Sequence, residues 1–145
     1  MPHPEIYLKK NEERRLRQGH LWIFSNEIDT KRSALNDFEP GQLVNVLAAD
    51  GKMLGSAYIN PHTLICARLL SRKSDLSCSV KFFKKRLSTA LQLREHLFGK
   101  PYYRLFFGES DGLPGLVVDR FGDVLSVQIT TSGIERRKDD LLTAL

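Results

Sequence analysis

The sequence predicts an α+β fold, with a small, mostly β module followed by a long helix and an α+β segment that contains a β-hairpin. Three observations predict it. Short apolar runs separated by Gly, Pro, Asn and Asp fill residues 1–74, apolar residues recur at helical spacing after Val80, and β-like runs return from Arg104. We therefore divide the chain into residues 1–74 and 75–145.

The mostly β module begins with a short strand over residues 5–9. Asn11 is a candidate N-cap for a short helix over residues 12–18, with Glu12 and Glu13 in its first turn, and Gly19 is a candidate C-terminal cap. The apolar stretch 21–24 follows directly, and we expect it to be buried.

Three further strands complete this module. The Asp50-Gly51 pair predicts a hairpin turn between strands at 43–47 and 53–59, and a third strand covers residues 63–70.

The second segment opens with the longest predicted helix, residues 80–98, which Gly99 and Pro101 end. Its first turns carry basic residues that we interpret as a solvated face, with an RNA contact as the alternative; they are Lys81, Lys84, Lys85 and Arg86. Strands at 105–107, 116–119 and 124–130 follow. A last helix from Ser132 or Gly133 is still amphipathic at Leu145, and we therefore expect the chain to be part of a longer protein.

Composition favours a globular, cytoplasmic protein. Of 145 residues, 41% are hydrophobic and 27% are charged, no apolar run reaches the roughly 20 residues of a membrane helix, and no signal peptide is recognisable. Cys66 and Cys78 are interpreted as structural thiols, and the scattered histidines predict no metal site. The glycine loop 108–115 fits no phosphate-binding motif and carries Glu109 and Asp111. We therefore predict no catalytic or cofactor-binding residue in this chain.

A role in binding polyanions is better supported, because the net charge is +5 and basic residues crowd around the first predicted helix. Arginine guanidinium groups form forked hydrogen bonds with phosphates. Trp22 and Phe24 are expected to be core residues that fix this helix, although stacking on bases is an alternative. The predicted RNA-binding residues are Lys9, Arg14, Arg15, Arg17, Gly19 and His20.

Three segments carry a resemblance to a known family. Residues 17–28 (RQGHLWIFSNEI) and 51–60 (GKMLGSAYIN) resemble the N-terminal PUA domain of the large-subunit ribosomal RNA cytosine-C5 methyltransferases. Residues 103–123 (YRLFFGESDGLPGLVVDRFGD) resemble the start of the central domain of the same family. The segments together span nearly the whole chain.

This resemblance implies that residues 1–74 form a PUA pseudo-barrel that binds RNA and that residues 75–145 begin a central α+β domain. The family's Rossmann-like domain, which binds S-adenosylmethionine and methylates cytosine through a cysteine, would lie outside this chain. The expected partners are ribosomal RNA and that missing C-terminal methyltransferase domain, in a 23S rRNA methyltransferase. Two alternatives stay open: a free-standing PUA-type RNA-binding module without enzymatic activity, and an interaction or dimerisation role for residues 76–145. The oligomeric state and the target nucleotide are not predicted.

Overall fold

The computed structural model describes all 145 residues and divides them into two compact units, Met1–Leu76 and Ser77–Leu145. Eight strands and four α-helices build the units. No helix combines the length and apolar character needed to cross a bilayer. The strands are β1 Glu5–Tyr7, β2 Trp22–Phe24, β3 Gln42–Leu47, β4 Met53–Ile59, β5 Ile65–Ser71, β6 Tyr102–Phe107, β7 Leu116–Phe121 and β8 Val124–Ile129. The helices are α1 Arg14–Arg17, α2 Val80–Leu97, α3 Ser132–Glu135 and α4 Lys138–Ala144.

The first unit is a five-stranded sheet that closes on itself. The strand order is β1-β3-β4-β5-β2, and only β1 and β3 are parallel. Beyond the two edge strands, Leu8 forms an antiparallel bridge with Ile28, and the N–H of Lys9 donates to the carbonyl of Glu27 at 2.9 Å. Because this bridge joins the segments that follow β1 and β2, it closes the pseudo-barrel. The predicted α+β class and the pseudo-barrel implied by the resemblance are confirmed.

The core of the first unit draws on every strand of the barrel and on α1. Each of the five strands contributes at least one residue, and α1 contributes one leucine. The buried cluster comprises Ile6, Leu8, Leu16, Ile23, Ile28, Val44, Val46, Ala48, Leu54, Ala57, Ile59, Cys66, Ala67 and Leu69. Burial of side chains of this size contributes about 1.5–3 kcal/mol for each large aliphatic residue, so the core fixes where α1 lies.

The β3–β4 hairpin confirms the predicted turn at Asp50-Gly51, where Gly51 adopts a positive φ of 84°. Gly55 in β4 also has a positive φ, of 148°, and its surroundings are much tighter. A Cβ added at Gly55 would lie 2.0 Å from the carbonyl oxygen of Ser71 in β5. Only glycine therefore allows β4 and β5 to approach this closely.

The second unit packs α2 against β6 and α4, and its sheet is antiparallel in the order β6-β7-β8. The long predicted helix is confirmed. The single predicted helix through Leu145 is wrong, because the chain breaks between α3 and α4. At this break the backbone N–H of Arg137 donates to the carbonyl of Ile134, three residues earlier. The Arg137 guanidinium donates to the carbonyl of Gly133 at 2.7 Å.

A nearly buried ion pair holds the glycine loop 108–115. Arg94 of α2 donates two hydrogen bonds of 2.7 Å to the Asp111 carboxylate, which also accepts the N–H of Phe107 at 2.8 Å. The side chains of Arg94 and Asp111 are 13% and 10% exposed. These contacts fix Asp111, and with it the loop, against α2.

We expect Gly55→Ala to destabilise the first unit far more than Gly51→Ala. Both substitutions place alanine at a positive φ, which costs about 1–2 kcal/mol, but nothing lies within 4 Å of a Cβ at position 51. The clash with Ser71 should raise the loss for Gly55→Ala to about 3 kcal/mol or more. Urea unfolding followed through Trp22, the only tryptophan, reports on this unit. Equal losses for the two variants would contradict this account of β4–β5 packing.

Candidate RNA interface

Helix α1 is a single turn. Its position is fixed by a side chain buried in the barrel core and by a cap at its C-terminus. Leu16 is 2% exposed and lies in the barrel core. Gly19 takes a φ of 107°, and the N–H groups of Gly19 and His20 donate to the carbonyls of Leu16 and Arg15, both at 3.1 Å. This bond pair is the Schellman motif. The predicted role of Gly19 as a cap is confirmed.

The start of α1 differs from the prediction. Asn11 is not an N-cap: it has a φ of 71°, and the helix begins only at Arg14, after Glu13. Asparagine tolerates this left-handed conformation better than most residues, so Asn11 turns the chain before the helix. The acidic residues consequently precede the first turn of the helix and do not lie within it.

The carboxylate of Glu27 joins α1 to the barrel. Glu27 is buried, and it accepts hydrogen bonds from the guanidinium of Arg15 and from the N–H of Phe24, the latter at 2.9 Å. The Arg15 guanidinium also lies 5.1 Å from the centre of the Phe24 ring. Of the predicted RNA-binding residues, Arg15 is thus partly engaged within the fold. Glu27 was not identified from the sequence, although it is the only acid in the largely apolar stretch 21–28.

The prediction that all of residues 21–24 are buried is wrong. Ile23 is fully buried opposite Ala67, whereas Trp22 is 41% exposed opposite Arg68. Successive side chains of a strand point to opposite faces, so Trp22 cannot share the core with Ile23. Trp22 is therefore a residue of the outer surface and not a core residue.

The remaining predicted site residues lie at the surface. Arg14, Arg17, Lys9 and His20 are exposed, and the backbone of Lys9 bonds to Glu27, beside Arg15. The exposed cations are therefore carried by α1 and by the adjoining barrel seam.

Asp50 lies close enough to Arg17 for their charges to interact. The pKa of Asp50 is lowered, mainly by the N–H of Lys52 and in smaller part by the charge of Arg17. An open depression nearby contains two acidic groups and is unsuited to phosphate; its lining residues are Lys10, Asn11, Glu13, Ala49 and Asp50. Any phosphate contact is therefore expected at the outward-facing arginines and not in this depression.

Both cysteines are free and buried, as predicted for structural thiols. Burial raises the pKa of Cys66 to about 12 and that of Cys78 to about 11. Since the thiolate is the reactive form, neither residue is suited to act as a nucleophile. No group of three or more His, Cys, Asp or Glu side chains is arranged to hold a metal ion.

Comparison with known families places the first unit beside one of them. Residues 6–72 match the family model described as a PUA-like domain, which covers β1 to β5 together with α1. The first unit is therefore similar to PUA-like domains over these residues.

Curated relatives extend the similarity over both units. The chain is 38% identical over 143 residues to ribosomal RNA large subunit methyltransferase I of Erwinia tasmaniensis, covering 97% of this chain and 35% of that protein. It is 37% identical over 145 residues to the protein of the same name from Shewanella denitrificans, covering 97% and 36%. The chain thus spans about a third of the length of these relatives.

Solved structures show the same fold at lower identity. A protein from Streptococcus mutans assigned as a SAM-dependent methyltransferase superposes with a TM-score of 0.81 at 21% identity, covering 97% of this chain and 36% of that one. A second structure, assigned as a methyltransferase and solved with SAH, gives a TM-score of 0.79 at 21% identity, covering 99% and 36%. At this identity the likeness concerns the fold alone.

We expect Arg15→Ala to destabilise the first unit by about 1–2 kcal/mol, because the buried Glu27 carboxylate loses a charged donor. Arg14→Ala, one residue away and exposed, should cost less than about 0.5 kcal/mol. Urea unfolding monitored by Trp22 fluorescence measures both. If Arg15→Ala were as mild as Arg14→Ala, the Arg15–Glu27 pair would not hold α1 to the barrel.

The two thiols should resist modification in the folded protein. A pH of 8 is well below the raised pKa values of both thiols, which therefore remain protonated. Their reaction with Ellman's reagent should be at least about a hundredfold slower than that of free cysteine. In guanidinium chloride both should react. Rapid reaction of either cysteine in the native chain would contradict its burial.

Proposed function

We propose that residues 1–145 recruit and orient ribosomal RNA for an S-adenosylmethionine-dependent 23S rRNA methyltransferase that modifies C5 of a cytosine. The observation that carries the RNA-binding role is the pair of exposed arginines, Arg14 and Arg17, on a helix held by Leu16 and by the Arg15–Glu27 pair. Guanidinium groups on a fixed backbone lose less conformational freedom when they bind phosphate. The curated relatives are ribosomal RNA methyltransferases by name, which supports ribosomal RNA as the partner.

In this proposal the methyl-transfer chemistry belongs to a part of the parent protein outside these residues. Neither buried cysteine is suited to attack a cytosine ring. The glycine loop 108–115 connects antiparallel β6 and β7, and its Asp111 is held by Arg94, so it offers no cradle for S-adenosylmethionine. These residues would supply RNA binding, and the rest of the parent would hold the cofactor, which provides the methyl group.

The double substitution Arg14→Gln/Arg17→Gln tests the RNA-binding role. We expect it to weaken binding to 23S rRNA fragments and to reduce the slope of log K against log [salt] by roughly 1.4–1.8, because two phosphate contacts would no longer release counterions. Fluorescence anisotropy with labelled RNA over a salt series measures both quantities.

Lys84→Gln/Lys85→Gln is the matched control, since it removes the same charge from exposed positions of α2 in the second unit. We expect this control to leave most of the salt dependence in place. Identical effects of the two double variants would mean that net charge, and not the α1 surface, governs binding.

The alternative, a free-standing PUA-type module, differs from this proposal in what the gene encodes after codon 145. A stop codon would support the module. A downstream glycine-rich cofactor segment, together with methylation of 23S rRNA by the full-length product, would support the methyltransferase. Locating the transferred methyl group on the rRNA would test the assignment to C5 of cytosine.

A further inference from the structure

A row of planar side chains lies on the outer face of the barrel next to α1. Trp22 and Phe24 flank the buried Ile23 in β2, so they share the opposite, outward face. The two rings meet edge to face, with centroids 6.4 Å apart and an interplanar angle of 80°. The Arg15 guanidinium lies 5.1 Å from the centroid of the Phe24 ring. We name Trp22, Phe24 and the Arg15 guanidinium the stacking row.

Buried residues of the barrel hold the stacking row in place. Glu27 fixes Arg15 through its guanidinium and fixes β2 through the N–H of Phe24, while Ile23 is fully buried in the core. The row therefore has little freedom to rearrange. Its exposed end is Trp22, which is 41% exposed.

We propose that the stacking row binds an unpaired base of RNA, with Trp22 as the residue on which the base stacks. The proposal rests on the RNA-binding function above and adds a second mode of contact to it. Every base has an aromatic face, and stacking on an exposed aromatic side chain is independent of phosphate pairing. Bases within a duplex are already stacked on their neighbours, so the base must come from a loop, a bulge or a single strand.

The surrounding charge favours RNA over an apolar protein partner. The row includes the Arg15 guanidinium, and the exposed Arg14, Arg17 and His20 lie within eight residues of Trp22 along the chain, on α1 and its cap. Across the strand pair, Arg68 lies opposite Trp22. Phosphates flanking a base on Trp22 would meet the guanidinium groups of these arginines, whereas an apolar protein surface would leave several charges without partners.

Trp22 is the only tryptophan, so its fluorescence reports directly on the proposed site. The 145-residue chain would be titrated with an RNA hairpin that has an unpaired loop, and with the same strand annealed to its complement. We expect the hairpin to quench Trp22 and the duplex to leave its emission nearly unchanged. Equal quenching by both would overturn the restriction to unpaired bases.

Substitution provides the second arm. Trp22→Ala should weaken binding to the hairpin on the order of ten- to a hundredfold, and Trp22→Phe should recover part of this loss because it retains an aromatic face. Neither variant should change the salt slope, since stacking releases no counterions. Phe121→Ala is the control, because Phe121 is 56% exposed on the second unit. Circular dichroism would establish that each variant is folded.

Two outcomes separate this inference from the proposed function. If the hairpin binds with the expected salt slope but Trp22 is not quenched and Trp22→Ala binds normally, the stacking row is not the site, while RNA recruitment by the arginines stands. If the unsubstituted chain binds neither RNA at low salt, the proposed function fails, and the stacking proposal fails with it.

Discussion

The first unit depends most on the hydrogen bonds that the buried Glu27 accepts. Its side chain receives Arg15 from α1 and the N–H of Phe24 from β2, and its carbonyl receives the N–H of Lys9 beyond β1. These three contacts lie where the edge strands meet. One residue therefore helps to close the barrel, to fix the basic helix and to orient the outward face of β2, so that the fold and the candidate RNA surface share the same support.

This arrangement divides the arginines of α1 into two roles. Arg15 is engaged by Glu27 and Phe24, whereas Arg14 and Arg17 remain exposed on either side of the buried Leu16. The Glu27 carboxylate and a phosphate would compete for the same N–H donors of Arg15. This arginine therefore loses part of its capacity to pair with phosphate. In our proposal, Arg15 acts mainly by positioning its neighbours, and the flanking arginines supply the electrostatic attraction.

Local signals in the sequence predicted much of the fold, whereas long-range contacts decided where the predictions failed. The Asp50-Gly51 turn, the Gly19 cap and helix α2 each follow from a pattern contained within a few residues or a few helical turns. The outward position of Trp22 depends on its pairing with β5, and the role of Glu27 depends on Arg15, twelve residues away. No spacing rule reveals such partners. The surface arginines could be predicted, but their division into engaged and exposed residues could not.

The bridge between Leu8 and Ile28 also limits how the barrel can recognise a partner. Many small β domains bind an extended segment by adding it as a further strand, which requires backbone N–H and C=O groups at an open sheet edge. At this seam those groups are occupied within the chain, by Lys9 with Glu27 and by Asp29 with Tyr7. A partner at the seam must therefore be recognised by side chains and not by backbone groups. The residues on the outer face of the seam then determine specificity.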